Sequence, residues 1–440
     1  KIDNLQQELS RELHNYAKEF DVTLETTSLS TELHSLIERI ARKNKKAVVV
    51  LIDEYDKPIV DFLTDLDKAE SNQAILRDFF SPLKKLEASG HLHFLFITGV
   101  SKFSKVSLFS DLNNLTDLSM AHPLSNDLLG ITHEELLVYF ADWIKHIAHK
   151  MKTPEKEILS AIKKWYNGYS FDGTTKLYNP FSLLNFFGSE RFGYFWFATG
   201  TPTFLVETIR NRNINPIKYD REEVSETFLN KFSLKDLSMT GLLFQTGYLT
   251  IKEVTYRKLV AKYVLGYPNL EVRHAMMHNL VEAFTYRSSS VVSNALIKMQ
   301  DGLEEGNVNQ FMSYLKVILA DLKYNWQPPK QYKTEAEVLR LWEGYFHAIL
   351  YLITSSMELF VQAEIAHHKG RLDLVAETDD FIYLMEFKMD GSAEDAINQI
   401  KTKDYIAPYE KRGKKIFLVG INFSDEERNV EDWEVEERLI

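Results

Sequence analysis

Apolar residues recur at helical spacing through the first 45 positions, at Leu5, Leu9 and Leu13 and again at Leu33, Leu36, Ile37 and Ile40. The pattern then changes. Ala47 to Ile52 is a run of six apolar residues, four of them β-branched, which predicts a central parallel strand covered on both faces. A helical stretch with Ile75, Leu76, Phe79, Phe80, Leu83 and Leu86 follows, and Leu92 to Ile97 predicts a second buried strand. Strand, helix and strand in that order predict an α/β unit with a parallel sheet.

From about 131 to 325 the periodicity is mostly helical and rich in aromatics, interrupted by Asn167-Gly168, Asp172-Gly173 and Asn179-Pro180. The segment Trp326-Gln327-Pro328-Pro329-Lys330 is the clearest linker, because adjacent prolines suit neither helix nor central strand. Beyond it, Val338, Leu341, Trp342, Tyr345, Phe346, Ile349 and Leu350 form a wide apolar stripe on one helix, with Glu343 and His347 sharing a face. Strands are predicted over Met357 to Ile365, Arg371 to Glu377 and Phe381 to Met389, then a helix beginning at Ser392 and a strand over Ile416 to Ile421. Three domains are expected, at 1–130, 131–325 and 326–440.

Length supports that division, since 440 residues exceed the roughly 250 to 300 at which one core stops growing. No apolar run approaches the roughly 20 residues of a membrane helix, and no signal pattern opens the chain, so no membrane partner and a cytoplasmic location are expected. The absence of cysteine excludes disulfides and thiolate zinc sites, and no HExxH occurs, so any metal is expected on carboxylates. A net charge of −11 argues against coating nucleic acid by bulk electrostatics. The basic stretch 401–415, with Lys401, Lys403, Lys411, Arg412, Lys414 and Lys415, leaves room for a local phosphate-binding patch or a solvated surface.

The chemistry-bearing residues concentrate after the linker. Asp373 sits between Leu372 and Leu374, a carboxylate inside an apolar strand that is costly unless something binds it. Alternation along the next strand puts Ile382, Leu384, Glu386 and Lys388 on one face, so Glu386 and Lys388 are side by side. Ser392 and Asp395 stand in a capping-box relation at the start of the following helix, whose next turn carries Gln399. Two carboxylates on adjacent strands can hold a hard divalent cation, and a nearby Lys can stabilise charge growing on a phosphate. Alone, Glu386 and Lys388 would be read as a surface ion pair on an edge strand, with Asp373 ending a hairpin.

GRLDL at 370–374, EFK at 386–388 and the helix with Gln399 resemble the core of the PD-(D/E)XK nucleases, with 386 − 373 = 13 fitting a hairpin. The resemblance implies a restriction-endonuclease-like α/β domain with Asp373, Glu386 and Glu343 as ligands of Mg2+ or Mn2+, Lys388 acting on the water or the phosphate, and Gln399 as an accessory. His367 and His368 precede Gly370 and are expected as exposed loop residues.

At the other end, VVVLIDEYD at 48–56 resembles a Walker B strand, whose tip would present Asp53 and Glu54, with Thr98 or Ser101 as a polar sensor on the neighbouring strand. No GxxxxGK[ST] occurs, so poor ATP binding is expected of this chain. ITGVSKFSKVSLFSDLNNLTDLS at 97–119, WYNGYSF at 165–171, LYNP at 177–180 and LLFQTGYLTIK at 242–252 are similar to one bacterial family. Its members are AAA-ATPase-like proteins fused to a C-terminal PD-(D/E)XK nuclease domain. This implies a P-loop NTPase-like parallel sheet, a helical lid or winged-helix-like middle and a nuclease-like end. It also implies a phosphate loop upstream of Lys1, and hence a truncated N-terminus and ATP as cofactor only with that loop. The aromatic motifs themselves are expected to pack between subdomains. The function implied is metal-dependent cleavage of nucleic acid, specifically DNA, under an ATP-binding module. The alternative is a nucleotide-regulated switch that binds nucleic acid or a partner without cutting. Homo-oligomerisation is left open.

Overall fold

A computed structural model describes residues 4–100, 115–118, 126–198, 203–211, 216–230, 238–258, 260–322, 335–357, 360–367 and 370–438. The expected linker at 326–330, Ser101 and His368 lie outside the described residues, as does the side chain of His367. The chain forms two compact units. One comprises Lys1–His133, Gly168–Leu177 and Glu222–Gly266, and the other Glu134–Asn167, Tyr178–Arg221 and Tyr267–Ile440. The segment 131–325 contributes to both.

In the first unit the opening periodicity is two helices, α1 (Leu5–Glu19) and α2 (Leu29–Asn44). Asn4 and Ser28 cap their first turns by accepting backbone N–H groups, and Asp21 in the left-handed region (φ 51) turns the chain between them. β1 (Val48–Ile52) and β2 (Leu92–Ile97) pair in parallel, as their apolar runs predict, with Val50 opposite Leu95. Between them lie α3 (Leu66–Phe80) and α4 (Leu83–Ala88), both with buried apolar stripes. Among the described residues these strands are covered on one face, not on both as expected. Val49, Leu51, Phe94 and Phe96 are 51%, 69%, 52% and 43% exposed, because the described helices pack on the opposite face alone.

The first unit also holds an antiparallel sheet of β3 (Glu222–Ser225), β4 (Thr250–Arg257) and β5 (Val260–Gly266), in the order β3-β5-β4. Helical periodicity in the middle of the chain therefore stops short of 250–266, where Thr250, Ile251, Val254, Thr255, Tyr256, Val260, Tyr263 and Val264 supply the β-branched and aromatic side chains of a pleated surface.

In the second unit, helices Glu155–Tyr166 and Pro180–Ser189 enclose an aromatic cluster. Tyr166 stacks on Phe192 at 6.1 Å and tilts against Phe186 at 5.7 Å, while its hydroxyl accepts the Gly193 N–H at 2.9 Å. The motif is expected to pack between subdomains, whereas these contacts of Tyr166 lie within one unit. Helices α5 (Leu270–Thr285), α6 (Ser289–Glu304) and α7 (Val308–Leu319) lead to the long α8 (Glu335–Ser355). α8 is moored on α5 by Tyr345, whose hydroxyl donates to the Phe284 carbonyl at 2.6 Å, and by Ser355 and Tyr351, which meet Arg273 at 3.2 and 3.4 Å.

The C-terminal sheet has five strands, β6 (Phe360–His367), β7 (Gly370–Glu377), β8 (Phe381–Met389), β9 (Lys415–Ser424) and β10 (Asn429–Arg438), in the order β10-β9-β8-β7-β6. Only β8 and β9 run parallel, joined by a crossover through α9 (Ala393–Thr402). β10 escapes a reading of apolar runs because its Glu434, Glu436 and Glu437 mark it as a charged edge strand. Ile382 and Leu384 turn toward α9 and share a core with Ile397, Ile400, Tyr405, Ile416 and Leu418. The other face receives α8, with Phe346 stacked on Phe423 at 4.3 Å. Helix α9 lies very close to the sheet at Gly420, where an added Cβ would collide with the Ala393 carbonyl oxygen.

Candidate active site

The ladder between β7 and β8 runs from Ile382 opposite Glu377 to Met385 opposite Leu374. One step further would place Glu386 opposite Asp373, and there side chains take over from main chain. Asp373 Oδ2 accepts the Phe387 N–H at 2.8 Å. Glu386 is almost fully buried, at 2% exposure, and accepts a hydrogen bond on Oε1 from Gln399 Nε2. Its Oε2 is buried with no hydrogen-bond partner among the described residues. Gln399 reaches the pair because α9 starts at Ser392, whose hydroxyl accepts the Asp395 N–H at 3.0 Å and fixes the helix register. The same Gln399 accepts the Lys388 ammonium on Oε1 at 2.6 Å, and Lys388 Nζ lies 3.9 Å from Glu386 Oε1.

The site is electrostatically tense. Burial raises the Asp373 carboxyl above its ordinary range, against the pull of His347, the Phe387 N–H and Lys388. Glu386 is pushed up to about 8 by burial and then by the charge of Asp373, against Lys388, the Asp373 N–H and Gln399. Two buried carboxyls with one unsatisfied oxygen fit a divalent cation, which would replace a proton and complete the ligation. Among the described residues, no three His, Cys, Asp or Glu side chains are closed on a common point.

Asp373, Glu386, Lys388 and Gln399 are thus brought together. Glu343 is exposed on α8 and close enough for its charge to raise Asp373, and no hydrogen bond joins the two among the described residues. Two further residues reach the site. Tyr405 is buried, and its hydroxyl donates to the Arg371 carbonyl at 2.9 Å beside Glu386. His347 presents Nε2 at 3.7 Å from Asp373 Oδ2, with its ring against the edge of Phe387. The i, i+4 relation of Glu343 to His347 was the available signal for the second; nothing local in sequence marks Tyr405.

The basic stretch is largely paired with carboxylates. Arg412 and Lys414 bind Glu377 at 2.6 and 2.9 Å, Lys415 binds Glu437 at 2.6 Å, and Lys401 pairs with Glu436.

In the first unit, Asp53 follows β1 and accepts the Thr98 hydroxyl, as well as the Glu54 N–H at 2.9 Å. Glu54 is left-handed at φ 50. Gly99 is required by the close approach of Tyr55, whose ring an added Cβ would overlap. Asp53, Glu54 and Thr98 therefore share one strand-end cluster, and Ser101 lies outside the described residues.

Two family models match the chain. One, described as Predicted AAA-ATPase, covers residues 1–109, and the other, PD-(D/E)XK nuclease superfamily, covers 341–433. A curated relative, the "Uncharacterized protein in vnfD 5'region" of Azotobacter chroococcum mcd 1, is 34% identical over 403 residues, spanning 91% of this chain and 74% of the relative. The chain belongs to the AAA-ATPase-like, PD-(D/E)XK nuclease family. No solved structure matches it. Its family architecture accounts for an ATPase-like parallel strand pair at one end and a mixed nuclease-type sheet at the other. PD-(D/E)XK nucleases in general use divalent metals.

Proposed function

We propose that the chain is a metal-dependent nuclease acting on DNA phosphodiester bonds, under control of its ATPase-like module. The observation that carries the proposal is the pairing of partly buried Asp373 with buried Glu386, whose Oε2 has no partner among the described residues. Asp373, Glu386 and Glu343 would hold Mg2+ or Mn2+. The bound ion would supply Lewis acidity toward a phosphate oxygen and ease deprotonation of an attacking water. The Phe387 N–H orients Asp373, and Gln399 sets the distance between Glu386 and Lys388. Lys388, held by that amide, places its positive charge where charge grows on the phosphate. As a metal ligand Glu386 would have to be deprotonated, so metal affinity should strengthen as pH rises.

In the same proposal, 1–130 is the ATPase-like core, with Asp53, Glu54, Thr98 and Ser101 as nucleotide-site residues of Walker B type. Residues 131–325 form a lid or winged-helix-like region, 326–440 is the nuclease domain, and the protein works in the cytoplasm. The lack of a closed three-ligand cage among the described residues favours the second reading, a switch that binds nucleic acid or a partner without cutting. One experiment separates them. Incubation of DNA with the chain and Mg2+ or Mn2+ should give cleavage that Asp373→Ala and Lys388→Ala abolish. Equal cleavage by all three would sink the first reading, and metal-independent binding without turnover would establish the second.

A further inference from the structure

Several hydroxyls in the helices donate to the carbonyl one turn back, as Thr285 does to Val281 at 2.6 Å, Ser313 to Asn309 at 2.7 Å and Thr354 to Leu350 at 2.7 Å. Ser293 in α6 instead meets Nε2 of His278 on α5, at 3.1 Å. The other ring nitrogen of His278, Nδ1, lies 3.1 Å from Oε1 of Glu282, one turn further along α5. A carboxylate only accepts, so the proton of a neutral ring sits on Nδ1 and leaves Nε2 to receive the Ser293 proton. Serine, histidine and glutamate therefore stand in the order that turns a hydroxyl into a nucleophile. The three are within reach of solvent: the side chains of His278 and Glu282 are 30% and 26% exposed, and Ser293 is half-buried. Ser293 lies in the second turn of α6, where a side chain leans back over Ser289 and Ser290. Those two residues are exposed, and their first-turn N–H groups have no partner in the helix or from Ser288, which makes no side-chain cap. One turn past Ser293 on the same face, Ile297 is 59% exposed and offers an apolar surface to an acyl group.

We propose that Ser293, His278 and Glu282 form an active centre of their own, separate from the carboxyl pair, that hydrolyses carboxylic esters with a small apolar acyl group. Ser293 Oγ attacks the ester carbonyl while His278 Nε2 takes its proton. The bond from the acyl carbon to the alcohol oxygen breaks, and His278 passes that proton to the leaving oxygen. Water then attacks the acyl-serine, gives a proton to His278, and the acid departs as Ser293 recovers it. The open N–H groups of Ser289 and Ser290 are the donors available to the oxyanion formed in each half of the reaction. Ser293 and His278 are the catalytic residues. Glu282 acts through His278 and is a positioning residue.

The test is incubation of the full chain with a fluorophosphonate probe in chelator, followed by peptide mass spectrometry. Ser293 Oγ should displace fluoride and carry the phosphonyl group. His278→Gln should slow that labelling by about 100-fold, and Glu282→Gln by at least about tenfold. Hydrolysis of p-nitrophenyl acetate by the chain should be lost in Ser293→Ala. Ser293→Cys gives an independent readout, because the chain has no cysteine. Its thiol should react with iodoacetamide at least about tenfold faster than the same thiol in a chain that also carries His278→Gln. Labelling confined to other serines, labelling of Ser293 that His278→Gln leaves as fast, equal ester hydrolysis in Ser293→Ala, or a folded wild type that takes up no probe each overturns the proposal. The contact of Ser293 with His278 would then be a hydrogen bond that ties α5 to α6 and nothing more.

Discussion

Asp373 accepts the Phe387 N–H at 2.8 Å where β7 and β8 stop exchanging main-chain hydrogen bonds. A carboxylate thereby satisfies a backbone donor that the diverging strand leaves behind, and it is held in the fork beside Glu386. Asp373→Asn should keep the fold and lower metal-dependent DNA cleavage by at least about 100-fold. Lys388→Ala should do the same, in the range seen when a preorganised charge-stabilising group is removed. Gel assays of initial rates over a metal titration measure both. Retained cleavage in Asp373→Asn would exclude that carboxylate as a ligand.

Gln399 is predicted to position rather than react. It donates to Glu386 and accepts from Lys388, so Gln399→Ala frees both at once. Cleavage or metal affinity should fall by about 10- to 100-fold, as for other groups that orient metal ligands. Gln399→Glu should also fail, because the new carboxylate cannot donate to Glu386. A cleavage rate unchanged in either variant would remove Gln399 from the site.

Stability of the metal-free protein should depend on pH in an unusual direction. The folded Glu386 carboxyl titrates near 8, above its ordinary value of 4.5, and Asp373 is raised as well. The folded state therefore binds more protons than the unfolded state between those values, so stability falls as pH rises from about 5 through 8. A tenfold difference in proton affinity between the folded and unfolded chain corresponds to about 1.4 kcal/mol. Denaturant melts in chelator at pH 5.5 and pH 8.5 should show the loss, Glu386→Gln should largely remove it, and Mn2+ should offset it at the higher pH. A wild-type midpoint independent of pH would refute the burial of a protonated pair.

Gly420→Ala tests the close approach of α9 to the sheet. The new methyl would overlap the Ala393 carbonyl, a backbone atom at the first turn of the helix that delivers Gln399. Overpacking of this kind costs about 1 to 3 kcal/mol or more. The denaturation midpoint should drop accordingly, and cleavage should weaken in the variant molecules that remain folded. An unaltered midpoint would mean that α9 can lift from β9 without penalty.

Much of the nuclease-like end is legible along the chain because strand alternation is a local property. Side chains repeating every two residues put Glu386 and Lys388 on one face, and the apolar flanks of Asp373 announced a carboxyl held inside. The apolar runs of β1 and β2 likewise gave their pairing, although their exposed face depends on what packs against them. The charged edge strand β10 and the hairpin at 250–266 were less visible, since a half-exposed strand carries a weak apolar signal.

By itself, then, the sequence determined which residues share a strand face or a helix face, and with them the composition of the site: Asp373, Glu386, Lys388 and Gln399. Tertiary structure alone decided what those groups experience. Burial, which raises both carboxyls, is a property of everything packed around them. The arrival of His347 and Tyr405 depends on how α8 and the turn after α9 cross the sheet, and the pairing of the basic stretch with Glu377, Glu436 and Glu437 depends on strands distant in the chain. Periodicity encodes the direction in which a side chain points, whereas desolvation and charge pairing are set by neighbours that only folding assembles.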